Sequence, residues 1–188
     1  MPKQHLVGIS SDGGYVKGDD TERLFKSDAD WICPGWNTDT PAATGEKIIL
    51  TDTDHLWGVG GDSKWVWKNF LRGLQPNYMD PYVEYDPAAT LGCTQEQFDS
   101  ARRAMGLTLK VANQINLASM VPHNELSSTT YCLADPGSAY LVYLPDGDKV
   151  TVDLSKAKGT MSVQWMKPTE EGIISGKKIT GGKKQEFE

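Results

Sequence analysis

The sequence predicts a parallel α/β layer followed by an antiparallel β-sandwich of the immunoglobulin-like type. Apolar runs alternate with helical patterns up to about residue 122, and this order is typical of a parallel layer. From residue 128 onward, short strand-like runs alternate with turns rich in Gly, Pro and Asp. The 188 residues, 38% of them hydrophobic, are enough for one good core.

Three apolar runs in the first half end in polar or acidic residues, and we interpret residues 5–9, 47–50 and 76–79 as strands. The second run is continuous and does not alternate with polar residues. It therefore indicates a strand that is buried on both faces, as in a parallel sheet covered by helices.

A first helix is predicted over residues 62–74. Asp62 is a suitable N-cap, and Gly73 marks the end. Its apolar residues Val66, Phe70 and Leu74 share one face.

A longer helix is predicted over residues 94–120, with Thr94 as N-cap and Gln97 three residues further on. Gly106 lies inside this helix and marks either a weak point or a close packing contact. The predicted buried face repeats at three- and four-residue steps: Phe98, Ala101, Met105, Leu109, Ala112 and Ile115.

The second half reads as short β-strands over residues 130–133, 139–144, 149–154 and 159–165. Within the third of these, Val150, Val152 and Leu154 alternate with polar residues, so one face of the sheet is expected to be exposed to solvent. No closing strand is visible after residue 173, and the sandwich is therefore expected to be one or two strands short.

Composition excludes several classes of protein. The net charge is -6, and residues 146–188 hold seven acids and eight bases, so residues 1–145 carry -7 and form a poor nucleic-acid binder. No apolar run approaches the roughly 18 residues that span a bilayer, and no signal-peptide core is visible at the N-terminus. The three cysteines form no CxxC pair, so we predict neither a structural zinc site nor a disulfide framework, and no cofactor.

Acidic residues and a histidine follow the second predicted strand, where Asp52, Asp54 and His55 occur in the run Asp-Thr-Asp-His-Leu-Trp-Gly. The two carboxylates are two residues apart, so they point to the same side of an extended chain. Carboxylates at the end of a parallel strand suit acid/base or nucleophilic work on a glycosidic bond. The alternative is that one Asp caps a turn and the other binds a backbone N–H.

A second candidate site is the pair Asp80 and Tyr82, which follows the third predicted strand. The alternative is that Asp80 only caps a turn before Pro81.

The tryptophans divide into two groups. Trp31, Trp36 and Trp57 fall in Gly-, Pro- and Asp-rich connections, where they could stack on a sugar ring. The other two in this region, Trp65 and Trp67, belong to the predicted helix and are expected in the core.

These motifs resemble a known family. The run from Asp52 to Gly58, with Ala29-Asp-Trp-Ile-Cys-Pro, Trp65-Val-Trp-Lys and Arg72-Gly-Leu-Gln-Pro-Asn-Tyr-Met-Asp-Pro-Tyr, looks like the last third of an apiosidase-like glycoside hydrolase-related barrel. The part from Ser128 to Ser155 is similar to the β-sandwich that follows such barrels and is labelled a collagen-binding domain.

The resemblance implies a C-terminal portion of a (β/α)8 barrel over residues 1–124 and a sandwich over residues 125–188, incomplete at its C-terminus. Strands six, seven and eight would be His5–Ile9, Lys47–Asp52 and Pro76–Asp80. In related glycosidases the nucleophile ends strand seven and the acid/base ends strand four. The first of these positions falls on Asp54, or failing that Asp52, and no strand four is present.

The resemblance further implies substrate-binding roles for His55, Trp57, Trp31, Asp80 and Tyr82, with a plant or microbial glycan as the partner. The expected function is therefore that of a fragment of a carbohydrate-active hydrolase, inactive as this chain, whose parent is secreted or periplasmic. One alternative is a non-catalytic module that binds polysaccharide, or collagen by the family label alone. Another is a structural remnant without activity.

Overall fold

The computed structural model describes residues 5–11, 21–34, 40–53, 61–78 and 94–188. These residues form a mixed fold of helices and small sheets, which confirms the expected combination of an α/β part and a β-rich part. A closed barrel is not seen in the described ranges, and the several small sheets do not by themselves establish a single sandwich.

The first half contains a four-stranded sheet in which the strands follow chain order and every neighbouring pair is parallel. Its second strand was not predicted. Trp31 was expected in a connection, whereas it is the first residue of that strand, and a run of three residues is too short to show a period. The strands are β1 (Gly8–Ser10), β2 (Trp31–Cys33), β3 (Ile48–Asp52) and β4 (Gln75–Asn77).

The two faces of this sheet differ in burial. Ile32 and Ile49 are paired in register and fully buried, and they pack with Leu24 of helix α1 (Thr21–Phe25). On the opposite face Ile48 is 47% exposed and Leu50 is half-buried. Within the described ranges one face of this strand is better covered than the other, so burial on both faces is not confirmed.

The first predicted helix is confirmed as α2 (Ser63–Leu71). Asp62 caps it by accepting a hydrogen bond from the Trp65 N–H at 2.8 Å, and Gly73 follows it with φ of 71°. Trp65 and Trp67 are buried, as expected.

The second predicted helix, α3 (Gln95–Ala112), begins with a complete capping box between Thr94 and Gln97 but ends eight residues before the predicted end. Its buried face is also rotated, since Leu109 is 63% exposed. Gly106 is exposed, with no atom near the position of a Cβ, so it marks no packing contact. The buried side chains are Phe98, Ala101, Ala104, Leu107, Thr108 and Val111.

The second half forms one three-stranded antiparallel sheet, in the order β5-β6-β7, and three strand pairs. The prediction of no closing strand is wrong, because the last strand pairs antiparallel with β8 over four residues. The alternation of Val150, Val152 and Leu154 is confirmed, since all three are buried. The strands are β5 (Val121–Pro122), β6 (Cys132–Asp135), β7 (Ala139–Val142), β8 (Val150–Asp153), β9 (Thr160–Met161), β10 (Gln164–Trp165), β11 (Ile174–Ser175), β12 (Ile179–Thr180) and β13 (Lys184–Phe187).

The sheet β5-β6-β7 packs on both of its faces. Leu133 and Leu141 face the core formed by α2 and α3, whereas Tyr140 and Val142 face the core around β8. A single core therefore spans residues on both sides of the predicted boundary at 124/125, and that boundary stays a prediction.

Candidate functional site

A polar or thiol side chain ends each of the four parallel strands, and these side chains follow one another along one edge of the sheet. Ser10 is in register with Cys33, and Asp52 is in register with Asn77. The Cys33 Sγ donates a hydrogen bond to Asp52 Oδ2 at 3.3 Å, which joins β2 to β3 through their side chains. In parallel sheets this carboxyl edge is where ligands and catalytic groups gather.

The Cys33 thiol holds the Asp52 carboxylate and does not act as a nucleophile itself. Cys33 is buried, and burial together with the negative charge of Asp52 raises the pKa of the thiol to about 12. A thiol with such a pKa stays protonated near neutral pH, so it is a hydrogen-bond donor and a poor nucleophile. Asp52 itself is half-buried.

Ser11 follows β1 at the same edge. Its N–H donates to the Cys33 carbonyl at 3.0 Å, whereas its buried Oγ has no hydrogen-bond partner within the described ranges. Buried hydroxyls are normally paired, because an unpaired one loses its hydration without compensation. Ser11 therefore carries a buried hydroxyl without a hydrogen-bond partner in the described part of the chain, on a residue whose backbone is bonded to Cys33.

Of the predicted site residues, the structure describes Asp52 and Trp31 and does not bring them together. Trp31 is in register with Ile48, four residues before Asp52, so the two lie about 13 Å apart along the strand direction. Trp31 covers Gly8 on the neighbouring strand, since a Cβ on Gly8 would lie 1.6 Å from the indole. The remaining predicted site residues lie outside the described ranges: Asp54, His55, Trp57, Asp80 and Tyr82.

Sequence reasoning missed Ser10, Cys33 and Asn77. Each of them ends a strand of only three residues, and Cys33 was considered only as a disulfide or zinc ligand. The available signal was the triplet Trp-Ile-Cys before Pro34, since an apolar triplet that ends before a proline is compatible with a short strand.

The described ranges hold no group of three or more His, Cys, Asp and Glu residues that could bind a metal. None of their helices has the run of apolar residues that a membrane span requires.

A second candidate site is a cavity of about 770 Å³ between α2 and the β-rich half, which comprises residues 121–188. Its volume is in the range of small-molecule sites. Gln164 and Lys158 bring polar groups to it, and its wall is rich in large side chains: Trp67, Tyr140, Tyr143, Met161, Trp165 and Phe187.

Trp165 is half-buried in this wall and packs edge-on against Phe187, with 6.4 Å between ring centroids. Gly176 lies behind it, where a Cβ would come within 3.1 Å of the indole nitrogen. These contacts fix the orientation of the indole in the cavity wall.

No protein-family model matches this sequence, and a search of curated proteins gave no significant match.

Proposed function

We propose that this chain carries the nucleophile-bearing portion of a glycoside hydrolase-like barrel, with Asp52 and Asp54 in the glycan cleft. In this proposal β3 corresponds to strand seven of the barrel, and the β-rich half is a packed accessory domain of the collagen-binding-domain type. The substrate class is a plant or microbial glycan.

One observation carries the proposal: Asp52 ends a parallel strand within a row of polar residues and receives the Cys33 thiol at 3.3 Å. A hydrogen bond from a neutral donor orients a carboxylate without neutralising its charge. Glycosidases need such a charge, because the transition state resembles an oxocarbenium ion.

Four parallel strands in chain order give further support, since this is the strand arrangement of the barrel. The row contains one more strand than the resemblance assigned. If β3 is strand seven, β1 therefore corresponds to strand five and not to strand six.

The decisive experiment uses dinitrophenyl glycosides, which test the nucleophile without the acid/base. A carboxylate oxygen attacks the anomeric carbon, and the bond to dinitrophenolate breaks without protonation because this leaving group is stable as an anion. We expect a burst of about one dinitrophenolate per chain with the matching sugar, the kinetic signature of a covalent intermediate.

The burst should disappear in Asp54→Asn or in Asp52→Asn, and the variant that loses it identifies the nucleophile. Asp135→Asn is the matched control, since Asp135 ends β6, a strand of the antiparallel sheet. A burst that survives both changes, or no burst across a broad panel of glycosides, would contradict the proposal.

A second candidate function is non-catalytic glycan binding by the cavity of the β-rich half. The aromatic wall around Trp165 supports it, because an indole face stacks on the apolar face of a sugar ring. Affinity electrophoresis in polysaccharide gels, with a collagen pull-down in parallel, should show retardation that Trp165→Ala abolishes and that Asp52→Asn leaves intact. Equal migration with and without every polysaccharide, and no retention on collagen, would rule this function out.

A further inference from the structure

The strand pairs at the end of the chain follow one another along a single two-stranded ribbon. β8 pairs with β13, β9 with β12 and β10 with β11, and all three pairs are antiparallel. Residues 150–165 therefore form one leg of the ribbon, and residues 174–187 form the other. Within the described ranges the second leg pairs with no further strand, so its outer edge is unpaired.

The register of the ribbon is interrupted at two places, and the first carries two lysines. Between the β10–β11 pair and the β9–β12 pair, the first leg has residues 162–163, whereas the second leg has residues 176–178. One extra residue on one leg is a β-bulge, a feature that changes the direction of side chains. Lys177 and Lys178 lie in this bulge, and both are exposed.

The second interruption is larger, since residues 154–159 of the first leg stand against residues 181–183 of the second. Ala157 is buried, and its carbonyl oxygen would lie only 2.6 Å from a Cβ on Gly181. The first leg is therefore packed closely against the second here. The next residue, Lys158, is exposed.

Four exposed lysines of this stretch form no ion pair within the described ranges, and we call them the lysine surface: Lys158, Lys177, Lys178 and Lys183. Lys156 is exposed as well, but its charge acts on Glu125 and helps to lower the pKa of that carboxyl. We therefore leave Lys156 out of the lysine surface.

The acids of the ribbon do not neutralise this surface, because each acid between residues 150 and 187 already has another lysine as its partner. The pairs are Asp153 with Lys184, Glu170 with Lys167, Glu171 with Lys110, and Glu186 with Lys149. The ribbon therefore carries a local excess of positive charge on a chain whose net charge is -6. Such an excess attracts anionic ligands.

We propose that the lysine surface binds an acidic polysaccharide, whose sugars carry carboxylate or sulfate groups, along the outer edge of the second leg. Three of the four lysines belong to this leg. Each lysine has three donors on a flexible stem, so it can follow anionic groups that repeat along a flexible chain.

Other partners fit the ribbon less well. Lysines on an unpaired edge oppose pairing with another β-strand. Nucleic acid is disfavoured because residues 1–145 carry a net charge of -7. Lys158 also lines the cavity that contains Trp165, so the lysine surface adjoins the aromatic wall. The choice of a glycan among anionic polymers rests on the proposed function.

Affinity electrophoresis of the full chain in gels that contain polygalacturonate or heparin tests the proposal. We expect at least one of these acidic polysaccharides to retard the chain, and added salt should weaken the binding because it screens exposed charges. The double variant Lys177→Gln with Lys178→Gln should lose affinity by about tenfold.

The matched control is the double variant Lys149→Gln with Lys167→Gln. It changes the net charge by the same amount, but it removes lysines that are paired with acids. This control should bind within about twofold of the unchanged chain. All four side chains are exposed, and circular dichroism shows whether each variant remains folded.

An equal loss of affinity in the two double variants would overturn the proposal, because net charge alone would then explain the binding. No retardation by either acidic polysaccharide would overturn it too, and so would equally tight binding to duplex DNA or to anionic lipid vesicles. The result is independent of the dinitrophenolate burst. Lysine-dependent binding without a burst refutes only the catalytic function, and a burst without such binding refutes only the lysine surface.

Discussion

The parallel sheet and the β-rich half use their strands differently. In the parallel sheet, strands of three to five residues are joined by long connections, and their carboxyl ends bring Ser10, Cys33 and Asp52 into one row. In the β-rich half, short turns such as the one at Gly147, which has φ of 73°, join antiparallel strands whose side chains mainly fill cores. The first arrangement gathers chemical groups from distant parts of the sequence, whereas the second builds a scaffold from neighbouring ones.

The largest expected effect is that of Trp67→Ala. This variant tests whether the parallel sheet and the β-rich half unfold together as one unit. Trp67 is buried, stacks on Tyr143 at 6.2 Å between centroids and donates to the Pro168 carbonyl at 2.8 Å. Loss of this side chain from the shared core should cost about 3–5 kcal/mol of unfolding free energy. Urea unfolding followed by circular dichroism should show one transition moved to lower urea.

Trp165→Ala serves as its control and should cost clearly less, because Trp165 is half-buried. Two separate transitions, only one of them moved by Trp67→Ala, would show that the halves unfold independently.

The parallel sheet depends on a close approach at Gly8, which suggests a smaller but sharper test. A Cβ at Gly8 would lie 1.6 Å from the Trp31 indole, so Gly8→Ala should displace the ring and cost about 1–3 kcal/mol. Gly106→Ala is the matched control. No atom lies near that Cβ position inside α3, and the change should stabilise the protein by about 0.5–1 kcal/mol. A lower melting temperature for Gly8→Ala together with a higher one for Gly106→Ala would confirm the contact. An unchanged melting temperature for Gly8→Ala would contradict it.

The two halves also share a chemical feature, a buried thiol, and its pH dependence can be compared between them. Burial raises the pKa of both Cys33 and Cys132 from 9.0 to about 12, helped by the charge of Asp52 in the first case and of Glu125 in the second. Above pH 9 the unfolded chain therefore loses these protons while the folded chain keeps them, so stability falls as pH rises.

Between pH 8 and pH 9.5 each thiol should remove about 0.8 kcal/mol of unfolding free energy. Urea titrations at several pH values measure how steeply the unfolding free energy falls with pH. Cys132→Ala should remove the contribution of Cys132 to this slope. Asp52→Asn should reduce the share of Cys33, because the second cause of its shifted pKa is then absent. A slope that neither variant changes would mean that the thiols titrate normally.

The sequence was most informative where the signal is local. The capping box at Thr94 and Gln97, the N-cap at Asp62 and the alternation of Val150, Val152 and Leu154 depend on residues close together in the chain, and all of them are confirmed.

Features that depend on tertiary packing were not predicted. The buried face of α3 is shifted from Leu109 to Leu107 and Val111, because the positions of α2 and the sheet decide which side is covered. Strand β2 was missed because it exists through pairing with β1 and β3, and Cys33 was therefore missed as the partner of Asp52. Asp52 itself was predicted from the polar residues that follow an apolar run.

The smallest expected effect concerns the ion pair that links α2 to the turn before β8. Lys64 Nζ lies 2.8 Å from Asp146 Oδ1, but both side chains are more than half exposed, so solvent screens the interaction. The hydrogen bond from Lys64 lowers the pKa of Asp146, and the resulting stabilisation is present at neutral pH and is lost as pH falls through that lowered pKa. Lys64→Met should leave the thermal midpoint unchanged within error while the pKa of Asp146, followed by NMR, returns to its ordinary range. A clear drop in the midpoint would mean that this surface contact, and not the buried core around Trp67, holds the two halves together.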